Sequence, residues 1–193
     1  MPASDAILRH VASYYASKLA QHGANARGVD WNGEASQTLR HRQFLRLLGE
    51  QRHASILDLG CGYGDFLRFL REQGYRGPYI GYDLAPEMID AARRLHGEGS
   101  DRRWHVGPLP AASADYAIAS GILNVKGDFS LADWTTYVYE MIDALAGAGQ
   151  RGFAFNVLSL SSETALRRPN LFYADPVEML GYCLSRFGRS VAL

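Results

Sequence analysis

Three glycines at alternate positions, Gly60, Gly62 and Gly64, stand between two carboxylates, Asp58 just before them and Asp83, 19 residues after Gly64. Glycine reaches backbone angles that side chains forbid and lets a ligand lie against the main chain. The first N–H groups of a helix that follows such a turn are unpaired and carry partial positive charge, so a carboxylate or a phosphate fits there. A carboxylate at the end of the neighbouring strand can accept hydrogen bonds from both hydroxyls of a ribose. The dinucleotide fingerprint asks for glycine at its first, third and sixth positions, and counting from Gly60 the sixth is Asp65, an acid where a pyrophosphate should pass. No Gly-Lys-Ser/Thr follows, so the phosphate loop of nucleotide hydrolases is absent as well. Donors for one anion, a carboxylate for a ribose and no diphosphate cradle describe a pocket for adenosine joined to an amino acid.

The elements that must position these residues follow from hydrophobic spacing. Ile7, Leu8, Val11, Tyr14, Tyr15 and Leu19 recur at helical spacing. A polar link, Gln21 to Gly33 with Trp31 inside it, leads to a second helix over about Glu34 to Glu50, with Leu39, Phe44, Leu47 and Leu48 as its apolar face. Strands and helices then alternate. Ile56–Leu59 reads as a buried strand, and Phe66, Leu67, Phe69 and Leu70 mark a helix ending near Gly74. Pro78–Tyr82 is a second strand, and Pro86 opens a helix with Met88, Ile89, Ala92 and Leu95 on its buried face. Arg103–Val106 and Tyr116–Ala119 are the next strands. The clearest helix carries Leu131, Trp134, Val138, Met141, Ile142 and Leu145. Phe153–Leu158 is a fifth strand. Asp175-Pro176-Val177-Glu178 caps a helix with Leu180, Leu184 and Phe187, and Ser190–Leu193 begins a sixth strand.

This alternation predicts an α/β fold, a three-layer Rossmann-like sandwich in which a mostly parallel sheet is covered by helices on both faces. A single domain spans residues 1–193, with an N-terminal helical cap over 1–50 and the core over 54–193. Ligands of such sheets bind beyond the carboxyl ends of the strands, where strand order reverses.

The run Ile56-Leu57-Asp58-Leu59-Gly60-Cys61-Gly62-Tyr63-Gly64 resembles motif I of the class I S-adenosylmethionine-dependent methyltransferases. Asp83, followed by Leu84-Ala85-Pro86-Glu87-Met88-Ile89, resembles the next motif of that family. The resemblance covers roughly Ala54 to Leu160, and the two opening helices match the family's common cap. It implies S-adenosyl-L-methionine as cofactor and S-adenosyl-L-homocysteine as product. Asp58 then orients the loop and the cofactor's amino group, and Gly60, Cys61, Gly62 and Gly64 lie against the methionine portion. Asp83 binds the ribose, while Leu84 and Met88 pack on the adenine. Many relatives carry an acid for the adenine amino group where this chain has Gly107, so that contact falls to the backbone. Ser120 and Gly121 face the methyl-donor region. The family's sheet ends in a further strand, a turn and an antiparallel strand. This chain stops at Leu193, so a truncated last hairpin is expected, or a homodimer that covers the exposed edge.

The acceptor is less legible. The Asn/Asp-Pro-Pro-Tyr signature for planar amino groups is absent, and the fourth strand ends Ser120-Gly121-Ile122-Leu123-Asn124. With no extra domain to grip a macromolecule, a small-molecule acceptor is expected. The long loop Ser159–Ala174 forms its wall, and Asn124 and Tyr173 are candidate contacts. No general base is evident and none is required, so the catalytic residues stay unassigned. Lys18 and Arg40 read as solvated helix charge, with a substrate or cofactor carboxylate as the alternative partner; the pairs Arg93-Arg94, Arg102-Arg103 and Arg167-Arg168 read as surface charge, His105 as a core or surface histidine rather than a base, and Tyr14, Tyr15 and Trp31 as core or as a lid.

Lysine plus arginine numbers 20 and aspartate plus glutamate 20, which supplies no net field for a polyanion and weighs against nucleic acid as partner. The six histidines lack metal-ligand spacing, and the two cysteines suggest neither a disulfide framework nor a zinc site. No signal peptide or membrane-spanning run is legible, which predicts a cytoplasmic protein. Two other readings remain open at this level: a catalytically silent S-adenosylmethionine-binding protein, and a nicotinamide-dependent oxidoreductase, which Asp65 disfavours.

Overall fold

The computed structural model describes residues 5–193. Five parallel strands form one sheet in the order β3-β2-β1-β4-β5. They are β1 (Ile56–Leu59), β2 (Tyr79–Asp83), β3 (Arg102–Val106), β4 (Ala114–Ala119) and β5 (Gly149–Phe155). The helices are α1 (Asp5–His22), α2 (Glu34–Leu48), α3 (Asp65–Glu72), α4 (Pro86–His96), α5 (Leu131–Ala148) and α6 (Pro176–Phe187), with a 3₁₀ turn at Ala26–Val29. The strand order reverses between β1 and β4, which opens a crevice at the carboxyl end of β1.

All four residues of β1 are buried, because a central parallel strand has helices over both faces. Its side chains alternate between two cores. Leu57 and Leu59 pack with Ala117 and Ala119 of β4 beneath α1, α5 and α6. Ile56 packs with Tyr79, Tyr116 and Ile118 beneath α2, α3 and α4. Pro86 occupies the first turn of α4, and the Asp175 carboxylate accepts from the Val177 and Glu178 N–H groups at the start of α6, as the sequence predicts.

The structure corrects several boundaries and faces. β3 and β4 begin earlier than expected. β5 begins at Gly149, directly after α5, where a Cβ would meet the Gly152 carbonyl at 2.3 Å, so the turn from helix to strand requires glycine. The apolar run to Leu158 leaves the sheet after Phe155, where Asn156 bonds through its side chain to Ser120 and Gly121 just beyond β4. Ser190–Leu193 forms no strand, and β5 is an edge of the sheet among the described residues. Leu39, Leu95 and Leu184, expected on buried faces, are exposed. The buried stripe of α2 is Gln37, His41, Phe44 and Leu48, and Leu39 lies off it.

Candidate functional site

The turn after β1 puts Gly60, Gly62 and Gly64 at φ of 77°, 55° and 83°, the left-handed region in which side chains are strained. The space above them is used differently. A Cβ on Gly60 would stand 2.0 Å from Ile122 Cγ2, and one on Gly62 would stand 3.1 Å from Val29 Cγ1, so both glycines face the crevice. A Cβ on Gly64 would strike Trp104 and His96 at 2.7 Å each. Gly64 therefore serves close packing at the start of α3, and it does not line the cleft. Cys61 does not line the cleft either: its Sγ lies under Gly81, and burial pushes the thiol well above its ordinary range.

A cleft with about 620 Å³ of open space lies over the turn. It collects Gly60, Gly62, Asp83, Leu84, Met88, Gly107, Ser120 and Gly121, eight of the eleven cofactor residues named from sequence. Tyr137 and Met141, one helical turn apart on α5, also line it, although their spacing reads only as core. The Asp83 carboxylate accepts from Gly62 N–H at 2.8 Å and from Ala85 N–H at 2.9 Å, tying the glycine turn to the end of β2. Each oxygen keeps lone pairs for a further donor. Burial raises Asp83 to about 6, against the lowering effect of these backbone bonds.

Beneath the turn, Asp58 and Cys61 line a second, smaller cavity of about 340 Å³ with Gly60, Gly62 and Ser120. One Asp58 oxygen accepts from the Tyr79 hydroxyl; the other, Oδ1, is buried and has no hydrogen-bond partner. Burial raises this carboxyl to about 7. Gln37 and His41 reach the same cavity from α2. His41 Nδ1 also lacks a hydrogen-bond partner, and burial lowers the ring to about 4, so it is neutral at pH 7. The sequence signal for both residues was the Gln37, His41, Phe44, Leu48 spacing, a buried stripe with two polar members.

The N-terminal segment closes over the crevice. Asp30, at φ 60°, accepts from the Tyr14 hydroxyl at 2.7 Å and pairs with Lys18 at 2.9 Å, which pins the 3₁₀ turn to α1. Trp31 lies 3.0 Å from where a Gly121 Cβ would be, and the Tyr15 hydroxyl donates to the Gly121 carbonyl at 3.2 Å. Tyr15 and Trp31 line the cleft, whereas Tyr14 holds the turn that carries Trp31. Arg40 is not a solvated charge: its guanidinium is 4.6 Å from the Trp31 ring centre and partly buried. His105 stacks on Tyr82 at 4.9 Å, outside the cleft.

At the end of β4, Asn156 accepts from Gly121 N–H at 2.9 Å and donates to Ser120 Oγ at 3.0 Å, fixing the two residues that face the cleft. Beyond Gly121 opens a third space, a chamber open to solvent on one side, lined by Asn124 and Tyr173 together with Arg40 and Arg168. Asn124 Oδ1 accepts from Leu158 N–H at 2.9 Å, and the Tyr173 hydroxyl accepts from Arg168 N–H at 3.0 Å, so both side chains also hold the wall.

The model of the methyltransferase domain family matches residues 31–137, which includes the glycine turn, Asp83 and the end of β4. The chain belongs to the methyltransferase domain family. A Mycobacterium tuberculosis protein named as a methyltransferase, Rv1506c, is 39% identical over 153 residues, 77% of this methyltransferase and 90% of that protein. Among solved structures, magnesium protoporphyrin IX methyltransferase of Synechocystis PCC 6803, crystallised with S-adenosylhomocysteine, superposes with a TM-score of 0.71 at 16% identity, over 97% of this chain and 91% of that one. The Burkholderia thailandensis 1,6-didemethyltoxoflavin N1-methyltransferase, crystallised with its acceptor and S-adenosylhomocysteine, gives 0.58 at 25% identity, over 93% and 76%. The methyltransferase thus has the Rossmann-like class I fold of S-adenosylmethionine-dependent enzymes. None of its described helices is long and apolar enough to cross a membrane, and its described residues hold no cluster of potential metal ligands.

Proposed function

We propose that this methyltransferase uses S-adenosyl-L-methionine to methylate a small organic acceptor held in the chamber beyond Gly121. The observation that carries the reading is the buried, unpartnered Oδ1 of Asp58 in the cavity beneath Gly60 and Gly62. A buried acceptor without a donor costs on the order of 1–3 kcal/mol, and an ammonium group removes that cost. The amino group of the cofactor's methionine portion supplies one. Asp83 then takes the ribose hydroxyls, and Leu84, Met88 and the backbone at Gly107 enclose the adenine. Gly60 and Gly62 admit the methionine portion once Ile122 and Val29 swing away.

The bound cofactor supplies an activated methyl on a positively charged sulfur. The chain's own part is to bind, align and exclude water: Ser120 and Gly121, held by Asn156, set the floor of the transfer site, while Tyr15 and Trp31 cover it. Asn124 and Tyr173 face the acceptor. A reducing cytoplasm suits the two buried free thiols, Cys61 and Cys183, and the open edge of β5 suits a second copy of the chain.

A thermal-shift series with S-adenosylhomocysteine, NAD and ATP tests the cofactor. A ligand bound only to the native state raises the apparent melting temperature, and at a hundredfold over its dissociation constant the gain is about 2.7 kcal/mol. The expected result is a shift of several degrees with S-adenosylhomocysteine alone; a shift with NAD in its place refutes the reading.

A further inference from the structure

The chamber beyond Gly121 carries an uneven charge. Its lining includes one carboxylate, Asp30, and two guanidinium groups, Arg40 and Arg168. Asp30 is already engaged by Lys18 and Tyr14. Among the described residues no carboxylate lies within ion-pair distance of Arg40 or Arg168. Arg40 is also unusual in its setting. Its guanidinium carbon lies 4.6 Å over the centre of the Trp31 ring, and its Nη1 donates to the Ser36 carbonyl and hydroxyl at 2.9 and 2.7 Å. Its Nε and Nη2 make no hydrogen bond to the described residues, and the residue lines the chamber. Burial weakens its hold on the proton, the signature of a cation that has lost water without gaining a counter-ion. The other walls mix apolar and aromatic side chains, among them Trp31, Val125, Leu158 and Leu171, with the polar Asn32, Ser36 and Asn124.

From these observations we infer that the acceptor is an organic carboxylate, its carboxylate gripped by the free edge of Arg40 with help from Arg168 and its body laid against the Trp31, Val125 and Leu158 side of the chamber. The inference rests on the proposed function, because it assigns the chamber to the acceptor of that reaction. A guanidinium already stacked and braced loses little freedom on binding, and its planar fork matches a carboxylate with two parallel hydrogen bonds. Arg40 serves the acceptor and not the cofactor: it lines this chamber alone, and neither the cleft over Gly60 nor the cavity beside Asp58. The chamber meets the cofactor cleft at Tyr15, Val29, Trp31 and Gly121, so an acid anchored on Arg40 reaches the transfer site past the Trp31 ring.

The test is calorimetric titration of matched acids and amides, cinnamate against cinnamamide and octanoate against octanamide, into the free protein and the protein saturated with S-adenosylhomocysteine. At least one acid is expected to bind tenfold or more tightly than its amide. Arg40→Met should bring that acid down to the level of the amide and leave amide binding and S-adenosylhomocysteine affinity unchanged. Arg40→Lys should restore part of the preference, and Arg168→Met, at an exposed position, should cost about threefold. Equal binding of acid and amide, no binding of either acid, or an undiminished preference in Arg40→Met overturns the inference. So does a loss of S-adenosylhomocysteine binding in a folded Arg40→Met protein, which moves Arg40 to the cofactor. Failure of S-adenosylhomocysteine to bind the unaltered protein, with the acid preference intact, refutes the cofactor reading alone.

Discussion

The two spaces that meet at Gly121 are built by different means. The cofactor side is made largely of backbone: a strand end, a turn with positive φ, a helix start, and one carboxylate bonded to two main-chain N–H groups. The acceptor side is made of side chains brought from α1, α2, the end of β4 and the loop 156–174, held by long-range bonds such as Leu158 N–H to Asn124 and Tyr15 to Gly121. Backbone geometry demands particular residues at fixed spacing, so the first space is common to many sequences. Side-chain geometry can be met in many ways, so the second is where individual enzymes diverge.

The sharpest break between the two spaces comes from filling the cradle. Gly60→Val places a branched side chain at φ 77° in the space Ile122 occupies at 2.0 Å. Calorimetry should register a loss of S-adenosylhomocysteine affinity of at least a hundredfold, with circular dichroism retaining the fold. Binding of the matched acids to the ligand-free protein should change far less.

A second contrast is in titration. Asp58 moves from an ordinary value near 3.8 to about 7 on burial. Between those two values the folded protein holds a proton that the unfolded chain has released, and this carboxyl's contribution to stability is lost as pH rises through 7. His41 opposes it at lower pH, because burial depresses the ring to about 4 and the unfolded chain takes up the proton first. The difference between Asp58→Asn and the unaltered protein isolates the carboxyl. Without ligand, the variant should gain relative stability between pH 5 and pH 8. The gain should be roughly 3 kcal/mol, or several degrees in melting temperature, because each tenfold change in proton affinity is worth about 1.4 kcal/mol. A difference that does not vary with pH would mean that Asp58 stays ionised throughout.

The smallest expected effect is on the acceptor side. Asn124→Ala removes a side chain whose oxygen holds Leu158 N–H and whose amide faces the chamber. Once an acceptor acid is in hand, kcat/KM should fall about fivefold at unchanged S-adenosylhomocysteine affinity. A parallel fall in cofactor affinity would erase the division between the two spaces.

The same division explains what could be read from residues alone. The parallel α/β order, the cap of α6, the proline at the start of α4 and most of the cofactor cleft followed from hydrophobic period and from glycine and aspartate at fixed offsets. Spacing does not tell a glycine that faces the crevice, such as Gly60, from one that Trp104 and His96 press on, such as Gly64, nor that the Cys61 thiol turns toward Gly81, away from the main cleft. β5 lies earlier than the apolar run Phe153–Leu158 suggests, because its first residues, Gly149 to Gly152, are not apolar and the run itself continues past the strand's end at Phe155. From sequence, Arg168 reads as surface charge, and Arg40 as helix charge that a substrate or cofactor carboxylate could also claim. Only tertiary packing puts one on Trp31 and both on a shared chamber.

Asp83 is the most direct place to test the assignment, since each of its oxygens accepts one backbone N–H and the residue lines the cleft. The direct measurement is calorimetric titration of S-adenosylhomocysteine into the unaltered protein and into Asp83→Ala, with the fold of each checked by circular dichroism. A folded variant that binds about a hundredfold more weakly is the predicted result. Equal affinity in the two proteins would contradict a ribose at Asp83 and, with it, the assignment of the cleft.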